Sequence, residues 1–218
     1  PIASAMKLTL SFDNGPDPDV TPAVLDVLRG RGVTAQFFVL GKQLGDPRCR
    51  RLVERARDAG HLVGNHSFSH AVPLGRDDRP GAVDAEIAAT EALLAPLVPG
   101  PKRFRPIGGG ELGRHLLTRR AVDYLVAHGY SCILWNSVPR DWVDPDGWSA
   151  RALADGTTRP HTLLVLHDIP NACLAGLPGF IDAARAAGFE LVADAPPDCA
   201  PIVDGRVVGS LDELVAAA

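Results

Sequence analysis

The sequence has no apolar run long enough to cross a membrane and no stripe of basic residues. A membrane-spanning helix needs about 20 consecutive apolar residues, whereas the apolar 46% of this chain is scattered over 218 positions. Its 22 basic side chains face 26 acidic ones, for a formal charge of −4, and nucleic-acid binding begins from a basic surface. A membrane span is therefore excluded, and no nucleic-acid partner is expected.

Cysteine is scarce and forms no recognisable motif. The four cysteines show no C-x-x-C spacing and no local pairing with histidine; they are Cys49, Cys132, Cys173 and Cys199. Neither a zinc ribbon nor a redox motif is indicated. We interpret all four as ordinary thiols.

The first residues lack the charged and apolar regions of a signal peptide. Met6, the only methionine, directly precedes the first predicted strand, so residues 1–5 are interpreted as a cloning remnant and the protein as cytoplasmic. A secreted mature form cut near this point is the alternative. The length predicts a single domain over residues 1–218.

Short apolar or β-branched runs alternate with longer segments of helical periodicity, which is typical of βα units and a mainly parallel sheet. The predicted strands are Lys7–Phe12, Ala35–Leu40, Leu62–Gly64, Arg103–Arg105, Ser131–Asn136, Thr162–Leu166 and Glu190–Val192. The first predicted helix has Thr21 as its N-cap and ends by Gly30. The other predicted helices are Pro47–Ala59, Val83–Leu97, Leu116–His128 and Leu177–Ala187.

The end of the chain departs from this alternation. Residues 201–208 predict a small hairpin around an Asp204-Gly205 turn. Ser210 with Glu213 matches a capping box, which predicts a final short helix.

Polar residues follow five of the seven predicted strands. In chain order they are Asp13-Asn14, His66 with His70, Arg105, Asp141-Trp142 and His167-Asp168. A closed barrel brings nearly every strand's carboxyl end to one mouth, whereas an open doubly wound sheet does so only at its switch point. The pattern therefore favours a barrel.

Each of these groups has a functional and a structural interpretation. His66 and His70 would share one side of a helical turn and could bind a divalent ion, with oxygen ligands from Asp13-Asn14; an ordinary helix start and an Asn-Gly turn are the alternatives. His167 followed by Asp168 is expected at the surface after a buried strand. The glycines at 108–110 predict either a close backbone approach to a ligand or a flexible loop.

Five ordered segments resemble the motifs of one known family. They are Ser11-Phe12-Asp13-Asn14-Gly15-Pro16, His66-Ser67-Phe68-Ser69-His70, Arg105-Pro106-Ile107-Gly108-Gly109, Arg140-Asp141-Trp142 and Leu164-Val165-Leu166-His167. They are similar to the five motifs of the polysaccharide deacetylases, the NodB-homology domains of carbohydrate esterase family 4. The resemblance implies an α/β fold, an irregular (β/α)7 TIM-like barrel, to which this chain would add the small C-terminal hairpin and helix.

The resemblance also implies a hydrolase that removes N-acetyl groups from the amino sugars of an oligosaccharide or polysaccharide by metal-assisted general acid/base catalysis. By motif, Asp13 would be the general base and His167 the general acid. Arg105 would hold the base in position, and Asp141 would hydrogen-bond the acid and tune it.

The remaining motif residues would bind metal and substrate. The ligands of the divalent metal, expected to be Zn with Co, Ni or Mn as alternatives, would be Asn14, His66 and His70. Gly108 would help to form an oxyanion hole through its backbone N–H, Trp142 would line the groove, and Val165 would lie near the acetyl methyl.

Three departures from the family pattern modify these expectations. Asn14 replaces the usual second aspartate of the first motif, so weaker metal binding is expected, although a branch acting on peptidoglycan also carries Phe-Asp-Asn-Gly. Val138 replaces an acid of the fourth motif. Gly108 replaces an aromatic residue of the third, which predicts a wider or differently lined groove.

Two other functions stay open on the sequence. One is hydrolysis of a small non-carbohydrate amide or ureide on the same fold, and the other is a catalytically silent carbohydrate-binding relative. Asn14 favours these two, whereas the otherwise complete set of motif residues favours the enzyme. The expected partner is thus an N-acetylated oligosaccharide or another small amide.

Overall fold

β-Strands and helices alternate along the computed structural model, which describes residues 5–217. The strands are β1 (Lys7–Asp13), β2 (Gln36–Val39), β3 (Leu62–Asn65), β4 (Lys102–Phe104), β5 (Tyr130–Cys132), β6 (His161–His167), β7 (Glu190–Leu191), β8 (Ile202–Val203) and β9 (Arg206–Val207). The α-helices are α1 (Thr21–Gly30), α2 (Pro47–Asp58), α3 (Ala89–Leu94), α4 (Arg119–Ala127), α5 (Trp148–Gly156) and α6 (Leu177–Ala186). All seven predicted strands are present, although the fifth already ends at Cys132.

The strands form one curled, mainly parallel sheet. Its order is β6-β1-β2-β3-β4-β5, all parallel, and the antiparallel pair β8-β9 extends the β5 edge. β7 pairs in parallel with the first two residues of β1. The predicted α/β class is confirmed, and so is the C-terminal hairpin, whose turn residues Asp204 and Gly205 have φ of 47° and 75°.

An irregular segment after β5 joins the two sides of the curled sheet. Ser137 forms an isolated parallel bridge with Leu164 of β6, and Val165 donates its backbone N–H to the Ser137 carbonyl at 2.9 Å. Leu134 donates instead to the carbonyl of Cys199 at 2.7 Å. The fifth strand is shorter than predicted because these backbone groups pair outside the ladder with β4. The result is an irregular barrel rather than a regular one.

The two faces of β1 have different chemistry, which follows from the alternation of side chains along a strand. Leu8, Leu10 and Phe12 belong to the apolar cluster that includes residues of α1, α2 and α6. Ser11 and Asp13 are buried on the opposite face. β1 therefore carries its polar residues into the barrel.

Two predicted helical features are wrong, and one helix was missed. Thr21 is not the cap but the first residue of α1, and its Oγ1 accepts a hydrogen bond from the Asp17 backbone N–H at 2.8 Å. Helix α5 was not predicted. No helix follows Ser210 within the described residues, because Leu117 donates to the Leu214 carbonyl and accepts from Ala216, which holds this segment in an extended bridge instead.

The helix predicted over Val83–Leu97 is interrupted. A π-helical turn spans Asp84–Ala88 and leads directly into α3. Such wide turns often occur at functional sites, and this one carries the buried Glu86.

Some predictions on the chain as a whole are tested and others are not. The four cysteines are buried and free, as predicted. None of the helices among residues 5–217 combines the length and the apolar character needed to cross a bilayer. The single-domain assignment stays a prediction, and residues 1–4 of the interpreted cloning remnant lie outside the described part of the chain.

Candidate functional site

A cavity of about 210 Å³ opens where several parallel strands end. Its lining includes Asp13 at the end of β1 and Asn14 directly after it, His66 and His70 after β3, and His167 at the end of β6. Further lining comes from Pro106, Gly108, Gly109, Gly110, Trp135, Val138, Trp142, Val165 and Ile169. Arg105 and Asp141 are fully buried and lie behind this lining.

Asp13 is held by a buried guanidinium. Arg105 donates from Nη1 to Asp13 Oδ1 at 2.9 Å and to Ser11 Oγ at 2.7 Å. Burial alone would raise the pKa of Asp13, but the charges of Arg105 and of its histidine neighbours hold that pKa below its ordinary value. Asp13 is therefore an ionised carboxylate at neutral pH with one oxygen turned toward His66, whose Nε2 lies 3.6 Å from Oδ2.

His66 has one ring nitrogen committed to the protein and one free. Its Nδ1 donates to the Arg105 carbonyl at 2.9 Å, which leaves Nε2 for a ligand. Burial lowers the pKa of His66 to about 4 and also lowers that of His70. Both imidazoles are thus neutral near pH 7, the form that binds a metal ion.

The segment joining these two histidines is not the helical turn that was predicted. Residues 66–70 form a loop in which Ser67 and His70 have φ of 72° and 56°, and the two imidazole centroids lie 5.1 Å apart. Glu86 prevents a helical turn by binding the loop backbone: its Oε2 accepts from the N–H groups of Phe68 and Ser69 at 3.0 and 2.9 Å. The histidines converge through this loop rather than through helical spacing.

Asn14 presents a buried oxygen that has no hydrogen-bond partner among residues 5–217. Its backbone is left-handed, with φ of 74°, a region that asparagine enters more readily than most residues. The side-chain Oδ1 is buried and accepts no hydrogen bond from the described residues. Leaving such an atom unpaired is costly, so Oδ1 is suited to a ligand of positive charge.

Together these donors fit a divalent cation. No three His, Cys, Asp or Glu side chains within residues 5–217 come together as a ready metal cluster. Two neutral imidazoles and the orphaned amide oxygen nevertheless border one cavity. Nitrogen ligands with one oxygen are typical of Zn²⁺ and neighbouring transition metals.

His167 and Asp141 form a second tightly bound pair. His167 Nδ1 donates to Asp141 Oδ1 at 2.8 Å, and the His167 backbone N–H donates to Asp141 Oδ2 at 2.8 Å. Burial alone would lower the pKa of His167, but the hydrogen bond and charge of Asp141 raise it above the ordinary value. The ring of Trp142, 38% exposed, meets the His167 ring edge-on at a centroid distance of 4.7 Å.

The third predicted motif forms a glycine-rich wall. A Cβ on Gly108 would lie 2.3 Å from the Trp135 ring, so no larger residue fits there without a shift. Gly109 and Gly110 have φ of 62° and 90°, which favours glycine. Val165 faces the same cavity from β6.

Asp168 is not at the surface, where it was expected. Its side chain is 1% exposed, and Oδ2 accepts from Thr21 Oγ1 at 2.5 Å while Oδ1 has no partner among the described residues. Burial raises the pKa of Asp168 to about 7. A Cβ on Gly15 would lie 2.2 Å from this carboxyl group, so Asp168 packs directly against the loop that carries Asn14.

The residues of the site that were missed on the sequence include Trp135 and Glu86. Trp135 lies in a run interpreted as a strand, where an aromatic residue is ordinary core. Glu86 sits in a predicted helix far along the chain from His66, and no local pattern connects the two. A carboxylate is rarely buried without a partner, so the burial of Glu86 would have indicated a role. The sequence does not show that burial.

Known proteins match this chain over most of its length. Residues 3–132 match the family model described as polysaccharide deacetylase. A peptidoglycan-N-acetylglucosamine deacetylase of Bacillus cereus is 28% identical over 190 residues, covering 85% of this chain and 84% of the relative. A chitooligosaccharide deacetylase of Rhizobium leguminosarum bv. trifolii is 32% identical over 177 residues, 78% of either chain.

A solved structure is similar in fold as well. The family 4 acetyl xylan esterase of Clostridium thermocellum, in complex with a cobalt ion, superposes with a TM-score of 0.69 and 25% identity. The alignment covers 85% of this chain and 87% of the esterase.

We predict that Glu86→Ala loosens the histidine loop. The change removes the acceptor of two backbone N–H groups and of the Ser69 hydroxyl, which bonds Oε1 at 2.7 Å. The free energy of unfolding, measured by denaturant titration, should fall by about 1–3 kcal/mol. The amides of Phe68 and Ser69 should also exchange with solvent deuterium faster than in the wild type.

Asp84→Ala is the matched control, because Asp84 lies in the same π-helical turn but is exposed. It should leave the exchange of both amides unchanged. Unaltered protection in the Glu86 variant would show that Glu86 does not hold the loop.

Proposed function

Because the chain belongs to the polysaccharide deacetylase family, we propose that it hydrolyses the N-acetyl groups of amino sugars in a glycan, with the help of a divalent metal. The observation that carries the proposal is one cavity shared by an ionised Asp13, a His167 with raised pKa and a neutral set of metal donors. Peptidoglycan and chitooligosaccharides, the substrates named for the relatives, are the glycans of first choice.

The metal would be held by Asn14 Oδ1 and by the imidazoles of His66 and His70. Zn²⁺ is the ion of choice, with Co²⁺, Ni²⁺ or Mn²⁺ as substitutes, because the donors are two nitrogens and one neutral oxygen. When bound, such an ion acts as a Lewis acid toward the amide carbonyl and acidifies water.

Asp13 is the proposed general base. Its carboxylate stays ionised because Arg105 pairs with Oδ1, and Oδ2 is left to accept the proton of the attacking water. Arg105 cannot itself act as an acid, since its guanidinium remains charged. It therefore acts as a positioning residue.

His167 is the proposed general acid. Asp141 binds Nδ1–H, so Nε2 is the nitrogen that gives a proton to the departing amine. The raised pKa of His167 keeps a larger fraction of its rings protonated near neutral pH. Gly108 N–H is proposed to stabilise the oxyanion, and Trp142 and Val165 to contact the sugar and the acetyl methyl.

The first test is acetate release from chitooligosaccharides and peptidoglycan fragments. Asp13→Asn should lower kcat by about 10²–10⁴-fold, because an amide of the same shape cannot accept the proton of water. Asp19→Asn, an exposed change in the same loop, should retain wild-type activity. Chelation should abolish acetate release, and added Zn²⁺ or Co²⁺ should restore it.

Two outcomes would contradict the proposal. Absence of acetate from every N-acetylated glycan would favour a silent binding relative. Hydrolysis of a small amide that survives chelation would favour the alternative amidohydrolase.

The second test concerns the ligand role of Asn14. Asn14→Asp adds a carboxylate to the donor set and should lower the dissociation constant for Zn²⁺ about tenfold or more. Isothermal titration of the metal-free protein measures this. Asn171→Asp is the control, since Asn171 is exposed and also left-handed, with φ of 57°. Equal effects of the two substitutions would mean that Asn14 does not touch the metal.

The third test is the pH profile of an Asp141 variant. Activity should fall as pH rises through the pKa of His167, because the acid loses its proton. Asp141→Asn removes the charge that raises this pKa, so the alkaline limb should move to lower pH by about one unit, with a lower kcat. Asp144→Asn, a change at a half-exposed carboxylate nearby, should leave the limb in place. An unshifted limb in Asp141→Asn would exclude His167 as the titrating acid.

A further inference from the structure

A second cavity adjoins the catalytic one and has no part in the proposed reaction. Its volume is about 320 Å³, and it shares Gly110, Trp135 and Val138 with the first cavity. A Cβ on Gly110 would lie 3.5 Å from Val138 Cγ1 and 3.9 Å from the Trp142 ring, so the missing side chain widens the passage between the two cavities. A glycan with its acetyl group in the first cavity would therefore continue into the second.

The second cavity is lined by one cation, Arg140, and one carboxylate, Asp155, and the carboxylate already has an ion-pair partner outside the lining. Asp155 is neutralised by a bidentate pair with Arg159, with N–O distances of 3.0 and 3.1 Å. Arg140 is exposed in the same cavity, and its guanidinium has neither an acidic partner nor a hydrogen bond within residues 5–217. The cavity thus offers one uncompensated positive charge, although the chain as a whole is acidic.

The backbone at Arg140 is fixed relative to the catalytic histidine. The next residue, Asp141, holds His167 through two hydrogen bonds. The Arg140 carbonyl accepts from the N–H groups of Val143 and Asp144, each at 3.1 Å. The positive φ of 58° at Arg140 is part of this turn, which places Arg140 in the second cavity and Trp142 in the first.

We infer that the second cavity is a subsite for an acidic sugar, whose carboxylate binds the Arg140 guanidinium while the neighbouring N-acetylated sugar occupies the catalytic cavity. The inference rests on the proposed function for the identity of that neighbouring sugar. A planar carboxylate suits the donor fork of arginine. A single negative charge matches the single free cation, whereas a phosphate dianion would leave a second charge facing Asp155.

The test compares three tetrasaccharides that contain N-acetylglucosamine. The first is neutral chitotetraose. In the second, N-acetylglucosamine alternates with a sugar that bears a lactyl ether carboxylate, and in the third it alternates with a uronic acid. Dissociation constants are measured by calorimetry, and kcat/KM for acetate release is measured on the same compounds. The variants are Arg140→Gln and Arg140→Lys, with Arg206→Gln as control because Arg206 is exposed on β9, outside the cavities.

The wild type should bind at least one carboxylated tetrasaccharide about tenfold more tightly than chitotetraose, the gain typical of a hydrogen bond to a charged group. Arg140→Gln should lose this preference without weakening chitotetraose binding, and Arg140→Lys should keep part of it. The two carboxylated compounds identify which source of the carboxylate fits.

A wild type without preference, or a preference that survives Arg140→Gln, would overturn the inference. Binding can be measured without turnover, so failure of the subsite and failure of the proposed deacetylase activity can be told apart. Arg140-dependent preference without acetate release would support the subsite and contradict the deacetylase. Acetate release without any preference for a carboxylated tetrasaccharide would support the deacetylase and contradict the subsite.

Discussion

The site depends on the burial of one guanidinium. Arg105 is 0% exposed. The free-energy cost of burying its charge is offset only because hydrogen-bond acceptors and an aromatic ring surround the guanidinium. It donates to Ser11 and Asp13 on β1 and to the carbonyls of Ile133 and Leu134 after β5, and it lies 4.0 Å from the Phe38 ring centroid on β2. The same bonds that keep Asp13 ionised also tie the irregular segment after β5 to the centre of the sheet. The geometry of the candidate site and the closure of the barrel therefore depend on the same interaction.

The location of the site could be predicted from the sequence because it follows from chain direction. Apolar runs gave the parallel strands, and residues that follow parallel strands meet at one edge of the sheet. Asp13, His66 and His167 accordingly border the same cavity. The polar inner face of β1 was also readable in principle, since Ser11 and Asp13 alternate with apolar residues on that strand.

What could not be predicted is held by contacts between distant segments. The histidine spacing favoured a helical turn, but Glu86 binds the loop backbone from 17 or 18 positions away and imposes left-handed residues. Asp168 looked like a surface acid because nothing local shows that Thr21 and Gly15 enclose it. The capping box at Ser210 predicted a helix from local residues, but backbone pairing with Leu117 prevents that helix. In each case a long-range backbone or carboxylate contact outweighed the local preference.

The charge distribution around Asn14, a proposed metal ligand, bears on the proposed choice of substrate. Asn14, His66 and His70 carry no formal charge near neutral pH, so they would leave the charge of a bound cation largely uncompensated. Asp13 is the carboxylate that faces His66, and Arg105 already pairs with it. With such a cation bound, the mouth of the barrel would present positive potential to a ligand, and Arg140 would add to it from the neighbouring cavity. With an amide rather than a carboxylate at position 14, the proposed site would attract a metal ion less strongly, and it would favour an anionic glycan over a neutral one.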